Sequence, residues 1–324
     1  MLTHYLKYLF LIYVLFSYGI MANSNLVKEA NSEQFRFQIL ENKFIDLTSK
    51  QIPKLKEGSR PFIYSQHNKA PTVVMIHGLS DSPGSMKEAA TVYFKLGYNV
   101  VTVLLRDHGL LKSYRNEARS EISLEKWRED IDQVMIVALQ MSDSRKVALI
   151  GFSLGGALAL DTANRYDGRI SSIVLLAPLF KMRHSKLASL TKYLKYLKYS
   201  TQKGIDERPF FYPDIALNQT FQAYRLTEYL KNEVTKNPKS SLKQIPKIMF
   251  LTDADTTIVN DFAIETAKQL SISDANTIIY INSENESVAL HRDLPMRILN
   301  ANKNNNPFID NLLFKLESFL ITVD

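Results

Sequence analysis

The chain has 324 residues, 45% hydrophobic and 23% charged, a balance that buries a substantial core and excludes a disordered or low-complexity protein. Its 40 basic and 33 acidic side chains give a formal charge of +7, but the lysines are scattered rather than gathered into a nucleic-acid motif. The absence of cysteine excludes disulfides, thiolate zinc sites, cysteine catalysis and a lipidated cysteine.

Residues 1–22 differ in character from the rest of the chain. Met1–Lys7 carries one lysine and no acid, Tyr8–Phe16 is almost wholly apolar, and Ser17, Gly19 and Ala22 supply small residues. That order predicts a cleavable secretory signal, hence a secreted or periplasmic protein, with an uncleaved membrane anchor as the alternative. The apolar run is shorter than the roughly 20 residues a spanning helix needs.

Gln34–Leu40 alternates apolar and polar residues and predicts a half-exposed strand; Arg60–Ser65 predicts a second. From Pro71 the pattern changes. Pro71–His77, Tyr98–Leu105, Arg145–Ile150, Ile170–Ala177, Pro246–Thr252 and Thr277–Asn282 are continuous apolar, β-branched runs. Runs of this kind suit a parallel sheet covered on both faces. Between and after them, Met86–Leu96, Ser123–Gln140, Gly155–Tyr166, Ile258–Leu270 and Pro307–Ile321 have helical length and spacing. Strand alternating with helix predicts right-handed βαβ units and a doubly wound α/β sheet. The interval Phe180–Gln244 breaks the rhythm and reads as an inserted cap. The expected layout is 1–22 signal or anchor, 23–179 first part of the core, 180–245 cap, and 246–324 second part.

Gly151-Phe152-Ser153-Leu154-Gly155 follows one of these strands and opens a helix. A serine on such a turn could merely cap the helix, but a sharp strand-to-helix bend also bares its hydroxyl for nucleophilic attack. A hydroxyl needs a base. Of His4, His67, His77, His108, His184 and His291, only His291 follows the last core strand, as the order serine, acid, histidine requires. Asp253 and Asp255 both lie just past the preceding strand. Asp255 is the preferred acid because Ile258 and Val259 after it suit the next helix, while Asp253 caps the turn or is solvated. Gly78 in the loop His77–Gly84 lets the backbone turn toward the serine. The N–H groups of Leu79 and Leu154 are then the candidate oxyanion donors. Such acyl transfer requires no metal and no cofactor.

These residues resemble the α/β-hydrolase superfamily, in particular its monoacylglycerol lipase, lysophospholipase and small carboxylesterase branch. The resemblance rests on V-x-x-x-H-G-L (Val73–Leu79), R-x-H-G (Arg106–Gly109), W-x-x-D (Trp127–Asp130), G-F-S-L-G-G (Gly151–Gly156), D-x-x-I (Asp255–Ile258) and His291. It implies an α/β-hydrolase fold with Ser153 as nucleophile, Asp255 and His291 as its partners, and Leu79 and Leu154 as oxyanion donors. Relatives carry Pro-Gly where this chain has Arg106-Asp107, and Gly where it has Thr252.

In the cap, Leu187, Leu190, Leu194 and Leu197 share one helical stripe, with Lys192, Lys195 and Lys198 elsewhere. Such a helix packs its leucines on the main domain or lays them on a lipid surface. On either reading the cap is expected to be an apolar roof, which suits a small-molecule or lipid ester with an acyl chain.

Overall fold

The computed structural model describes the chain from residue 37, except residues 47, 49–51, 112, 115–121, 183–184, 195–199, 202–207, 213, 235–240, 271–277, 282–290, 296–308 and 324. The amino-terminal segment 1–22 therefore lies outside the described residues. Among those described, no helix is long and apolar enough to cross a membrane.

The strands are β1 (Ile63–Tyr64), β2 (Thr72–Ile76), β3 (Asn99–Val103), β4 (Val147–Phe152), β5 (Ile170–Leu176), β6 (Ser200–Thr201), β7 (Asp214–Ile215), β8 (Lys247–Thr252) and β9 (Ile278–Ile281). Seven of them form one sheet in the order β1-β3-β2-β4-β5-β8-β9, while β6 and β7 pair as a separate ribbon. Within the large sheet only β1 runs antiparallel to its neighbour. Every residue of β2, β3, β4 and β8 is buried, as the uninterrupted apolar runs require.

The helices are α1 (residues 37–46), α2 (Lys87–Lys95), α3 (Leu124–Met141), α4 (Leu154–Arg165), α5 (Ser185–Leu194), α6 (Leu217–Tyr229), α7 (Asn260–Gln269) and α8 (Ile309–Val323). Helix α3 begins where Ser123 accepts a hydrogen bond from the Lys126 N–H at 3.1 Å, a side-chain cap that ends the preceding extended segment. The path from β2 to β3 runs one way across the sheet, and that from β3 to β4 runs back. Right-handed crossovers then put α2 and α3 on opposite faces, which is the doubly wound arrangement. The reversal makes the carboxyl ends of β2 and β4 the switch point, where ligands enter open α/β sheets.

The expected strand Gln34–Leu40 is helical over residues 37–40, and residues 34–36 lie outside the described residues. Residues 37–46 are helical, and Phe37, Leu40 and Phe44 enter the core at three- and four-residue spacing. That 3.6-residue register buries two aromatic rings, and it overrides the short two-residue alternation seen in the sequence.

Helices α3, α4 and α6 are tied together by charge. Asp161, fully buried, accepts from Arg128 Nη2 at 2.6 Å and from Arg165 Nε at 3.2 Å. The Arg128 guanidinium also lies 5.0 Å from the Tyr229 ring centre. Removing the carboxylate leaves two guanidinium groups without their shared acceptor, a loss of about 3 kcal/mol. Asp161→Ala should lower the urea midpoint accordingly, and a loss below about 1 kcal/mol would show that the cluster does not hold the layers together.

Candidate active site

Ser153 lies between β4 and α4 with φ 53° and ψ −114°, a conformation rare for a residue with a Cβ. The surroundings make room for it. A Cβ on Gly155 would collide with the Ile76 carbonyl, and one on Gly151 would collide with Gly155. The Ser153 side chain does not cap α4. Its main chain is held instead: the N–H donates to Leu176 O at 2.8 Å, and the carbonyl accepts from Gly156 at 3.0 Å and Leu179 at 2.9 Å.

The released hydroxyl meets His291, whose Nε2 is 2.8 Å from Ser153 Oγ. On the far side of the ring, Nδ1 is 2.6 Å from Asp255 Oδ2. A carboxylate only accepts, so Nδ1 carries the proton and Nε2 is left to accept from the serine. The second Asp255 oxygen, Oδ1, accepts from the Thr257 N–H at 2.7 Å and the Ile258 N–H at 3.0 Å. Burial acts to raise the Asp255 pKa. The His291 charge and hydrogen bond, with the two N–H donors, outweigh it and hold the carboxyl below its ordinary value. Asp253 is exposed on the same turn, while Asp255 is 5% exposed and aimed at the ring.

The loop after β2 reaches the serine. A Cβ on Gly78 would sit 3.2 Å from the Phe152 ring and 3.3 Å from Ser153 Cβ, so the glycine brings the loop close to the serine without crowding it. Leu79 follows it, and Leu154 opens α4, where the first N–H groups of a helix have no partner within it. Asp81 organises this loop. Its carboxylate accepts from the Gly78 N–H at 3.3 Å, the Ser82 N–H at 2.7 Å and Ser85 Oγ at 2.5 Å. The sequence shows Asp81 only as part of a turn-rich composition, while these three partners lie within four residues of it.

Among the described residues, His67, His77 and His108 do not hydrogen-bond to Ser153. His67 is exposed and pairs with Glu41 at 3.3 Å; His4 and His184 lie outside the described residues. His77 and His108 are buried with ring centres 5.0 Å apart. The Leu105 N–H donates to His77 Nε2 at 3.3 Å, so the His77 proton sits on Nδ1, facing Gly78 O at 2.8 Å. The two departures at 106 and 107 also have physical roles. Arg106 clasps Asp130 through Nη2 at 2.7 Å and Nε at 3.1 Å. Asp107 adopts φ 67°, the left-handed region that glycine favours and aspartate tolerates.

The insertion between β5 and β8 docks through apolar and polar side chains alike, with Phe211, Ala223, Leu226 and Leu230 in the core. Helix α6 docks through buried amides: Asn218 Nδ2 donates to Ile122 O at 2.9 Å, Gln219 Nε2 to Asp107 O at 3.1 Å, and the Leu124 N–H to Gln222 Oε1 at 3.2 Å. Helix α5 buries Ala188 and Thr191 but leaves Leu190 52% and Tyr193 72% exposed. Leu190 thus does not pack on the main domain, because the smaller Ala188 and Thr191 take the inner face. The side chains of Leu187, Leu194 and Leu197 lie outside the described residues. Among the described residues, no group of three His, Asp or Glu side chains is placed to hold a metal ion.

Burial lowers the His108 pKa from 6.5 to about 4 and pushes His77 well below its ordinary value, with the His108 charge adding to the effect. An unfolded imidazole binds its proton near pH 6.5 while the folded one stays neutral, so stability falls as pH drops from 6.5 toward 4. Between pH 7 and pH 5, His108 alone should cost about 2 kcal/mol, read as a falling urea midpoint. The Asp255 contribution is complete above the ordinary carboxylate value and is lost only as pH falls through its depressed pKa, below that window. A midpoint flat from pH 7 to pH 5 would contradict the assignment.

Comparison with known proteins agrees with this architecture. The model of the Hydrolase_4 family, described as serine aminopeptidase, S33, matches residues 67–282. No curated protein sequence matches the chain. A structure of the metagenome-derived lipolytic enzymes LipS and LipT superposes with TM-score 0.63 at 18% identity, covering 83% of this chain and all of that one. Monoglyceride lipase of Saccharomyces cerevisiae, a soluble variant with a substrate analogue, gives 0.64 at 15%, covering 81% and 91%. The monoacylglycerol lipase of Paleococcus ferrophilus gives 0.61 at 16%, covering 82% and 100%. At such identities the likeness speaks for the fold, and the matched family, spanning the sheet and the serine turn, places this chain in the serine aminopeptidase S33 family of α/β hydrolases.

Proposed function

We propose that the protein is a serine hydrolase that cleaves carboxylic esters of lipid type, an acylglycerol or lysophospholipid, through an acyl-enzyme intermediate. The observation that carries the proposal is the unbroken line of hydrogen bonds from Ser153 Oγ through His291 to Asp255, starting from a serine held at positive φ. Ser153 Oγ attacks the ester carbonyl as His291 Nε2 takes its proton. Asp255 keeps the imidazole in the required tautomer and stabilises its cation. The N–H groups of Leu79 and Leu154 receive the developing oxyanion, each worth about 10²–10³ in rate. His291 then returns the proton to the leaving alcohol, and water repeats the sequence on the acyl enzyme.

The lipid assignment draws support from the exposed Leu190 and Tyr193 on α5, an apolar edge on the insertion, and from the named activities of the structural relatives. The family's description raises a peptide bond as the rival. An aminopeptidase needs a carboxylate to hold a free ammonium. The buried carboxylates described beside the catalytic loops are engaged elsewhere: Asp81 with its loop, Asp255 with His291 and Asp293 with Arg208. Esters are the better match. The amino-terminal segment favours an extracytoplasmic location, and surface contact with a membrane through the insertion belongs to the same proposal.

A fluorophosphonate probe should label the protein, and Ser153→Ala should abolish both labelling and ester turnover. Asp255→Asn should keep the fold but lower kcat by about 10⁴, since the amide favours the wrong tautomer. Unchanged labelling of Ser153→Ala would remove the proposal. Across p-nitrophenyl esters of rising length, kcat/KM should climb toward long acyl chains and exceed that for aminoacyl p-nitroanilides. A sharp short-chain optimum would refute the lipid assignment, and faster anilide cleavage would favour the peptidase.

A further inference from the structure

The insertion touches the catalytic apparatus at two places, and both contacts come from five consecutive residues. Arg208 Nη2 donates to Asp293 Oδ1 at 3.0 Å. Asp293 shares the 3₁₀ turn His291–Asp293 with the catalytic imidazole and is fully buried. The Arg208 guanidinium lies 4.8 Å from the ring centre of Phe211, itself buried, which limits where its donors point. Four residues after Arg208, the Tyr212 hydroxyl donates to Leu79 O at 2.8 Å and the Tyr212 N–H donates to Ser80 O at 3.2 Å. Between them, Phe210 O accepts from Ser82 Oγ at 2.8 Å and Phe211 O from Lys56 Nζ at 2.6 Å.

We propose that Arg208–Tyr212 is a positioning strap that sets the separation between the base and the oxyanion donors, with Arg208 acting through Asp293 and Tyr212 acting through Leu79. The inference rests on the hydrolase reading above. Acyl transfer needs the imidazole and the oxyanion donors correctly placed around one carbonyl carbon, yet they come from opposite ends of the chain. The triad bonds fix His291 relative to Ser153, and Asp81 orders the oxyanion loop internally. The strap joins these two units to each other. A charged pair with a buried carboxylate holds direction better than an apolar contact, because either partner loses its compensation if it moves. A misplacement of about 1 Å in such a site costs on the order of 100-fold in rate. Neither Arg208 nor Tyr212 touches the reacting atoms; both are positioning residues.

The test uses the full chain with Arg208→Gln, Arg208→Lys, Asp293→Asn, the double variant Arg208→Gln/Asp293→Asn, and Tyr212→Phe. Active sites are titrated with the fluorophosphonate, and kcat and KM are expressed per titrated site. Arg208→Gln and Asp293→Asn should each lower kcat about tenfold or more with KM within about twofold, and the double variant should be no worse than the worse single. Arg208→Lys should recover part of the loss. Tyr212→Phe, which removes one hydroxyl, should lower kcat and the labelling rate together. A merely structural role would lower the melting temperature and the titrated fraction but leave kcat per site alone. Values of kcat per site within about twofold of wild type for Arg208→Lys, Asp293→Asn and Tyr212→Phe would overturn the strap. If Arg208→Gln fails to fold, Arg208→Lys and Tyr212→Phe decide the matter alone. A wild-type protein that neither labels nor hydrolyses esters would instead overturn the hydrolase reading, and the strap with it.

Discussion

The arrangement depends on a single residue held with φ 53° at the end of β4. Ser153 stays there because several surrounding constraints act at once. Gly151 and Gly155 leave no side chain to push the turn open, and the main chain of Ser153 is bonded to β5 and to the residues beyond it. Helix α4 is buried over most of its length, so the turn cannot relax by swinging the helix outward. The hydroxyl is therefore presented outward by packing, and the imidazole needs only to be brought to it. A strained backbone persists where the surrounding fold over-determines it in just this manner.

Much of this was readable from the chain alone, for a definite reason. Strands β2 to β5 and β8 are buried along almost their whole length, while Ile278 and Ile279 of the edge strand β9 are half-buried, so the apolar runs are unbroken and their positions follow from composition. The order of elements brings the loops of Ser153, of Asp253 and Asp255, and of His291 to one end of the sheet, and the structure joins Ser153, His291 and Asp255 by hydrogen bonds. Residues 37–46 show the limit of that reasoning. Phe37 fits a two-residue and a 3.6-residue pattern equally well over so short a stretch, and Phe44 decides between them only once the core is seen. Asp81 bonds within its own loop, but Arg208, Tyr212 and Asp293 were not legible. Their roles come from approaches between distant segments, and nothing local in an arginine or a tyrosine announces its partner.

Arg106 and Asp107 illustrate how a departure from a family pattern is absorbed. Asp107 takes a left-handed backbone, which aspartate tolerates, and Arg106 uses its side chain to grip Asp130 on α3. The loop that carries His108 and Gly109 is thereby anchored to the helix behind it. Trp127, fully buried on the same helix, donates from Nε1 to Arg106 O at 3.4 Å. The two short motifs that the sequence shows separately are thus one contact seen from both sides.

The docking of α6 is asymmetric in what it asks of each side. Asn218, Gln219 and Gln222 contribute side-chain amides, but their partners at Ile122, Asp107 and Leu124 are main-chain groups. A main-chain carbonyl or N–H is present whatever residue stands there, proline aside for the donor. The core can therefore drift in sequence beneath the insertion without releasing it, whereas the three amides are constrained one by one. The two sides of the contact thus differ in mutational tolerance: a substitution on the landing surface leaves these bonds in place, and one at any of the three amides removes its bond.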